Sequence, residues 1–174
     1  TGMPLNEDVG NIEILVSVTD NYAESATTSF SLTVKNVNDK PDLLVPLQDV
    51  VVDEDARFVF GLPVNTFHDV DVDDRLFITV SMVGGAPLPG WLTFDASALS
   101  FTGLAGNNEV GNYDITMQAT DLAGLQIEDT FTLTVNNVND APNSFGYIAN
   151  MMAQEEVAFS YTFLPALFED IDVG

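Results

Sequence analysis

The sequence predicts an all-β chain built of tandem Greek-key β-sandwiches. Three observations carry this. Apolar and polar residues alternate with period two over several short runs. Clusters of Gly, Pro, Asn and Asp separate those runs. The chain also repeats itself, without a gap, at an offset of 101 residues: Asn36-Val37-Asn38-Asp39-Lys40-Pro41 returns as Asn137-Val138-Asn139-Asp140-Ala141-Pro142.

The strands follow from the alternation. Phe58, Phe60 and Leu62 alternate with Arg57, Val59 and Gly61. Tyr113, Ile115, Met117 and Ala119 alternate with Asp114, Thr116, Gln118 and Thr120. Phe131, Leu133 and Val135 alternate with Thr132, Thr134 and Asn136. Such patterns describe half-buried antiparallel strands. Further strands are expected near 49–53, 75–82, 91–95 and 98–102. Turn residues punctuate them: Gly84-Gly85, Pro89-Gly90, Gly103, Gly106-Asn107-Asn108 and Ala123-Gly124. About seven short strands in roughly 100 residues make an immunoglobulin-like sandwich. No useful helical periodicity interrupts them.

The repeat sets the domain boundaries. Gly10-Asn11-Ile12-Glu13-Ile14 matches Gly111-Asn112-Tyr113-Asp114-Ile115, and Thr19-Asp20 matches Thr120-Asp121. Phe30-Ser31-Leu32-Thr33-Val34 matches Phe131-Thr132-Leu133-Thr134-Val135. Beyond the linker, Glu54 and Phe58 match Glu155 and Phe159. Phe67, Asp69, Asp71 and Val72 match Phe168, Asp170, Asp172 and Val173, and Thr1-Gly2 matches Thr102-Gly103. Residues 1–41 then form the second half of one repeat, 42–141 a whole repeat, and 142–174 the opening of a third. A half repeat cannot bury its own inner face. The chain therefore reads as a window on a longer array.

Composition narrows the function. Hydrophobic residues make up 46%, enough for a core. Acids number 27 against 4 bases, a net charge of −23. Nucleic-acid phosphates and anionic membrane surfaces would repel such a chain. It also repels itself unless counter-ions help. With no Cys, disulfides and zinc-thiolate sites are excluded. No apolar run approaches a membrane span. Thr1-Gly2-Met3-Pro4 is no signal peptide, so an export signal for a secreted protein lies outside these residues.

Asn-Val-Asn-Asp-Ala-Pro after a final strand resembles the linker between cadherin repeats. Ala119-Thr120-Asp121 and Phe67-x-Asp69-x-Asp71 resemble two further cadherin motifs. Leu88-Pro89-Gly90-Trp91-Leu92-Thr93-Phe94-Asp95, followed by Phe101-Thr102-Gly103, resembles the dystroglycan-type cadherin-like domains of large bacterial surface proteins. The resemblance covers essentially the whole chain. It implies calcium (Ca2+) held between successive domains, and the oxygen-rich motifs suit that ion.

Carried over residue by residue, the resemblance assigns Asn38, Asp39, Asp69, Asp71 and Asp121 to the first junction, with Glu7 or Asp8 reaching from the preceding repeat. The second junction takes Asn139, Asp140, Glu54, Glu109, Asp170 and Asp172. Asp20 would serve a junction before the first residue. There are departures. The family's acidic triplet reads Asn107-Asn108-Glu109, the linker's first acid is Asn36 or Asn137, and the linker is one residue short. One or two ions per junction are expected, not three.

Blander readings stand beside these. Asp69-Val70-Asp71-Val72-Asp73-Asp74 also reads as an acidic surface turn. It is no EF-hand, because Asp74 and Val80 stand where Gly and Glu are required. Trp91 reads as a sugar platform or, flanked by Leu92 and Phe94, as core. His68 has no nucleophile beside it, and no acid sits in an apolar context that would raise its pKa. There is no phosphate loop.

The expected function is non-catalytic: a calcium-stiffened segment of an extracellular, cell-surface adhesin, matrix or filament protein. Its expected partners are neighbouring repeats, then a homophilic, cell-surface or carbohydrate partner. The alternative is a carbohydrate-binding module of a secreted polysaccharide-active protein. Two exposed aromatics among Trp91, Tyr113 and Tyr147 on one face would favour it. A metal-free acidic domain of a salty habitat would instead spread its carboxylates evenly.

Overall fold

The structure is a computed structural model that describes residues 2–71, 73–163 and 167–172. The repeat matches at Thr1, Val72 and Val173 lie outside the described residues. The chain opens with a hairpin of β1 (Gly10–Thr19) and β2 (Ser25–Val34). The central repeat follows as β3 (Asp42–Leu43), β4 (Val50–Asp53), β5 (Phe58–Gly61), β6 (Phe67–His68), β7 (Phe77–Met82), β8 (Leu92–Asp95), β9 (Ser100–Gly103), β10 (Gly111–Thr120) and β11 (Gln126–Asn136). After the second linker, β12 (Asn143–Ser144) pairs with β13 (Phe168–Glu169).

The central repeat is an immunoglobulin-like sandwich. One sheet runs β4-β11-β10-β7 and the other β5-β9-β8, so the pairings β4–β11, β7–β10 and β5–β9 join strands that are not consecutive in the chain, the Greek-key pattern. β4 lies parallel to β11, and the other pairings are antiparallel. The expected strands are all present, most with ends shifted by one or two residues, while β11 begins at Gln126, well before the Phe131 alternation. β3 and β6 are additional. They pair over only two residues, too short for any period-two pattern to announce.

Alternation decides the core. On β10 and β11 every second residue turns inward, and Ile115, Met117, Ala119, Phe131, Leu133 and Val135 are fully buried. The facing sheet supplies Phe101 and Leu92, with Phe58, Phe60 and Phe94 packed around them. Phe60 stacks on Phe101 at 5.0 Å, and Phe101 meets Phe131 edge to face at 5.6 Å. Gly103 is required by this packing. A Cβ there would lie 2.5 Å from Phe58 Cζ and 3.0 Å from the Trp91 carbonyl oxygen.

Trp91 belongs to the same layer. It is half-buried, edge-on to Phe58 and to Tyr113, with ring centroids 6.2 and 5.1 Å apart. The Tyr113 hydroxyl donates to the Glu109 carbonyl at 2.8 Å. Burial, then the nearby Glu109 charge, raises the Tyr113 pKa, while a hydrogen bond with Trp91 opposes them. Tyr147 is exposed. Trp91 and Tyr113 thus pack on each other instead of lying open as a platform.

Candidate metal centres at the repeat junctions

Each junction begins with a strand end and a linker. β2 runs out into Asn36–Pro41, and β11 into Asn137–Pro142. Pro at the linker's end removes a backbone donor and fixes φ, which stops the strand from continuing.

At the first junction the linker lies on two loops of the central repeat. The Asp39 N–H donates to Asp71 Oδ2 at 2.8 Å, and the Asp71 N–H donates to Asp69 Oδ1 at 2.9 Å. The Asp-x-Asp loop thus folds on itself, as Asp side chains commonly do in turns. From the β10–β11 loop, Asp121 Oδ2 accepts the Asn38 Nδ2 amide at 2.8 Å. Asp121 Oδ1 accepts the Leu125 N–H at 2.8 Å and so closes its own loop. Asn38 Nδ2 also donates to the Asp39 carbonyl at 2.7 Å.

Two of these side chains, Asp71 and Asp121, are buried. Asp71 is 7% exposed and Asp121 3%. The Asp121 pKa is nevertheless lowered. Desolvation is the largest single influence and pushes it up, but hydrogen bonds from Asn38, Leu125, Gly124 and Ala123 together outweigh it. One carboxylate oxygen each of Asp69, Asp74 and Asp121 lies within 4.8 Å of the others.

The second junction copies the first. The Asp140 N–H donates to Asp172 Oδ2 at 2.9 Å, and the Asp172 N–H donates to Asp170 Oδ1 at 3.1 Å. Asn139 Nδ2 donates to the Asp140 carbonyl at 2.8 Å. Glu54 joins from the end of β4. It is 1% exposed, and its Oε1 accepts the Val138 N–H at 2.9 Å.

Among the described residues, three buried carboxylate oxygens accept no hydrogen bond: Asp69 Oδ2, Asp71 Oδ1 and Glu54 Oε2. A buried polar oxygen without a partner is costly, and a charged one more so. The donors here are carboxylate and amide oxygens, the set that suits a hard divalent cation.

The structure thus joins Asn38, Asp39, Asp69, Asp71 and Asp121 at one end of the sandwich. It joins Asn139, Asp140, Asp170 and Asp172 at the other, with Glu54 on the adjoining Val138. Asp8 and Glu109 sit differently. Asp8 Oδ2 accepts the Leu5 N–H at 2.9 Å and Glu109 Oε2 the Gly106 N–H at 2.9 Å, so each closes its own turn. The residues that reach the linker from those turns are Asn6 and Asn107. Asp20 Oδ1 accepts the Tyr22 and Glu24 N–H groups and closes the β1–β2 loop.

Three residues at these junctions fall outside the expected set. Asp74 stands in an acidic run where no spacing separates it from Asp73, and only the fold brings it near Asp121. Asn6 and Asn107 were findable, because they occupy the same place in two repeats.

A family model described as "Putative Ig domain" (He_PIG) matches residues 41–136. The chain is 29% identical over 147 residues to protocadherin gamma-A10 of Pan troglodytes and, to the same extent, of Homo sapiens. That match covers 82% of this chain and only 16% of either relative. Among solved structures, the extracellular domain of protocadherin gammaB4 superposes with a TM-score of 0.60 at 18% identity, over 99% of this chain and 30% of that one. Mouse cadherin-23 EC22-24 superposes with a TM-score of 0.54 at 16% identity, over 79% of this chain and 45% of that one. At these identities the likeness is one of fold, a cadherin-like, immunoglobulin-like sandwich. The family model spans more than half of the chain, and the protein belongs to this immunoglobulin-domain family, He_PIG.

Proposed function

We propose that the chain is a non-catalytic segment of an extracellular adhesive or structural array, stiffened by calcium at the repeat junctions. One observation carries the reading. The Asp-x-Asp loop against the first linker holds two buried carboxylate oxygens, Asp69 Oδ2 and Asp71 Oδ1, that no donor among the described residues satisfies. A divalent cation supplies what they lack. Asn38, Asp39, Asp69, Asp71, Asp74 and Asp121 would hold it at the first junction, and Glu54, Asn139, Asp140, Asp170 and Asp172 at the second. Carboxylates gathered at the linkers favour this over an evenly acidic, metal-free surface.

The proposed units are 1–41, 42–141 and 142–174. Their partners are neighbouring repeats, then a second cell-surface molecule. Metal held by two units at once removes hinge freedom, and binding to the folded form stabilises it by mass action.

Calcium should raise the melting temperature of the chain, and a chelator should lower it. The double change Asp69→Ala with Asp71→Ala should remove most of the calcium effect at the first junction and leave the central sandwich folded. Unfolding curves that superimpose with calcium and with chelator overturn the reading.

A further inference from the structure

The linker aspartate is gripped from both sides by hydrogen bonds that involve no cation. Asp39 Oδ2 accepts the Asn6 Nδ2 amide at 2.9 Å, and the Asp39 N–H donates to Asp71 Oδ2 at 2.8 Å. Asn6 opens the 3-10 turn Asn6–Asp8 before β1, and Asp71 lies in the loop after β6. One residue therefore ties the unit before the linker to the unit after it.

The same arrangement recurs at the other junction. Asp140 Oδ2 accepts the Asn107 Nδ2 amide at 2.7 Å, and the Asp140 N–H donates to Asp172 Oδ2 at 2.9 Å. Asn107 opens the matching turn Asn107–Glu109 before β10. Both turns divide the work alike. The acid at the third position closes the turn, through Asp8 in one and Glu109 in the other. The asparagine at the first position reaches the linker.

The residue type matters at this position. A carboxylate in place of Asn6 would face the Asp39 carboxylate at hydrogen-bond distance. Two like charges that close need a cation or a proton between them. An amide needs neither, and its bond to a carboxylate is charge-assisted.

We propose that Asn6 and Asn107 are cation-independent latches, each holding its linker aspartate on the preceding repeat whether or not metal is bound. Calcium and latch then meet at the linker aspartate, where the amide takes only Oδ2 and the cation draws its other ligands from the rest of the junction. The carboxylates of the Asp-x-Asp loop answer to the cation, while the amide keeps the linker docked without it.

The test is amide hydrogen exchange on the full 174-residue chain in chelator, so it stands apart from the calcium reading. In the unaltered chain the Asp39 and Asp140 amides should be protected. Asn6→Ala should speed exchange at Asp39 by about tenfold and leave Asp140 unchanged, as expected for loss of one charge-assisted hydrogen bond. Asn107→Ala should do the reverse. The near-isosteric Asn6→Asp and Asn107→Asp keep the shape, remove the donor and should give the same pattern. The β10–β11 amides report folding: their protection should persist in at least one variant of each pair, and that variant decides the result. Linker exchange unchanged in the decisive variants overturns the proposal. So does an unaltered chain whose Asp39 and Asp140 amides are already unprotected in chelator.

Discussion

Asp121 closes the β10–β11 loop through Oδ1, which accepts the Leu125 N–H, and grips the first linker through Oδ2, which accepts Asn38 Nδ2. These bonds favour the charged form, and they hold its pKa below the ordinary 3.8 despite burial. The sign of the pH effect follows. A carboxylate whose pKa is lowered on folding stabilises the fold above its unfolded value, and that stability is lost as pH falls through the lowered folded value. Without metal, an NMR titration of the Asp121 carboxyl should show a midpoint below 3.8, and Asp121→Asn should remove this part of the acid-side loss. A midpoint above 3.8 would contradict the hydrogen-bond account. The loop it closes also shows what the repeats tolerate. Gly124 has φ +92°, and its counterpart Ala23 holds φ +70°, a left-handed conformation that costs an L-residue about 1–2 kcal/mol.

β1–β2 and β10–β11 are the same hairpin drawn twice. Gly10 faces Val34 as Gly111 faces Val135, and the register keeps step to Thr19–Ser25 and Thr120–Gln126. Their burial differs: only Ile14 and Val34 of the first hairpin are even partly buried. Ile115, Met117, Ala119, Phe131, Leu133 and Val135 are all buried, whereas the counterparts Phe30 and Leu32 remain 54% and 47% exposed. Pairing and alternation are properties of the hairpin; burial comes from the second sheet. A lone hairpin is marginal in water. Amides of β10–β11 should therefore exchange only on global unfolding of the sandwich, and those of β1–β2 by local opening, orders of magnitude faster. Equal protection of the two hairpins in the 174-residue chain would mean that something covers the β1–β2 face.

Over the whole molecule, the proposed role of the two junctions is to control shape. The linkers are short and end in Pro, which limits their reach and stiffens them. In the proposed reading, calcium at the Asp-x-Asp loops would add a second restraint to the asparagine latches. Small-angle scattering should report one elongated particle in calcium and a broader ensemble in chelator. The loosening should stop short of a freely jointed chain. Identical scattering in both conditions would remove the stiffening role, and full flexibility in chelator would remove the latch.

Much of this was legible in the residues. The period-two runs around Phe58, Ile115 and Leu133 announced their strands, because a pleated strand sends alternate side chains to opposite faces. The 101-residue offset located both linkers and both Asp-x-Asp loops before any coordinate. β3 and β6 escaped, since a two-residue bridge has no period. Asp74 escaped, since a run of acids does not say which member turns toward a neighbour. Sequence also could not divide the labour within the turns before β1 and β10. There the acids Asp8 and Glu109 close the turn and the amides of Asn6 and Asn107 reach the linker. The sequence by itself determined the all-β class, the repeat and the oxygen-rich character of the junctions, because periodicity, turn chemistry and ligand type are local properties. Only the tertiary structure decided which oxygens are buried without a donor among the described residues and which side chains grip the linker. Those are relations between residues far apart in the chain, and packing alone brings them together.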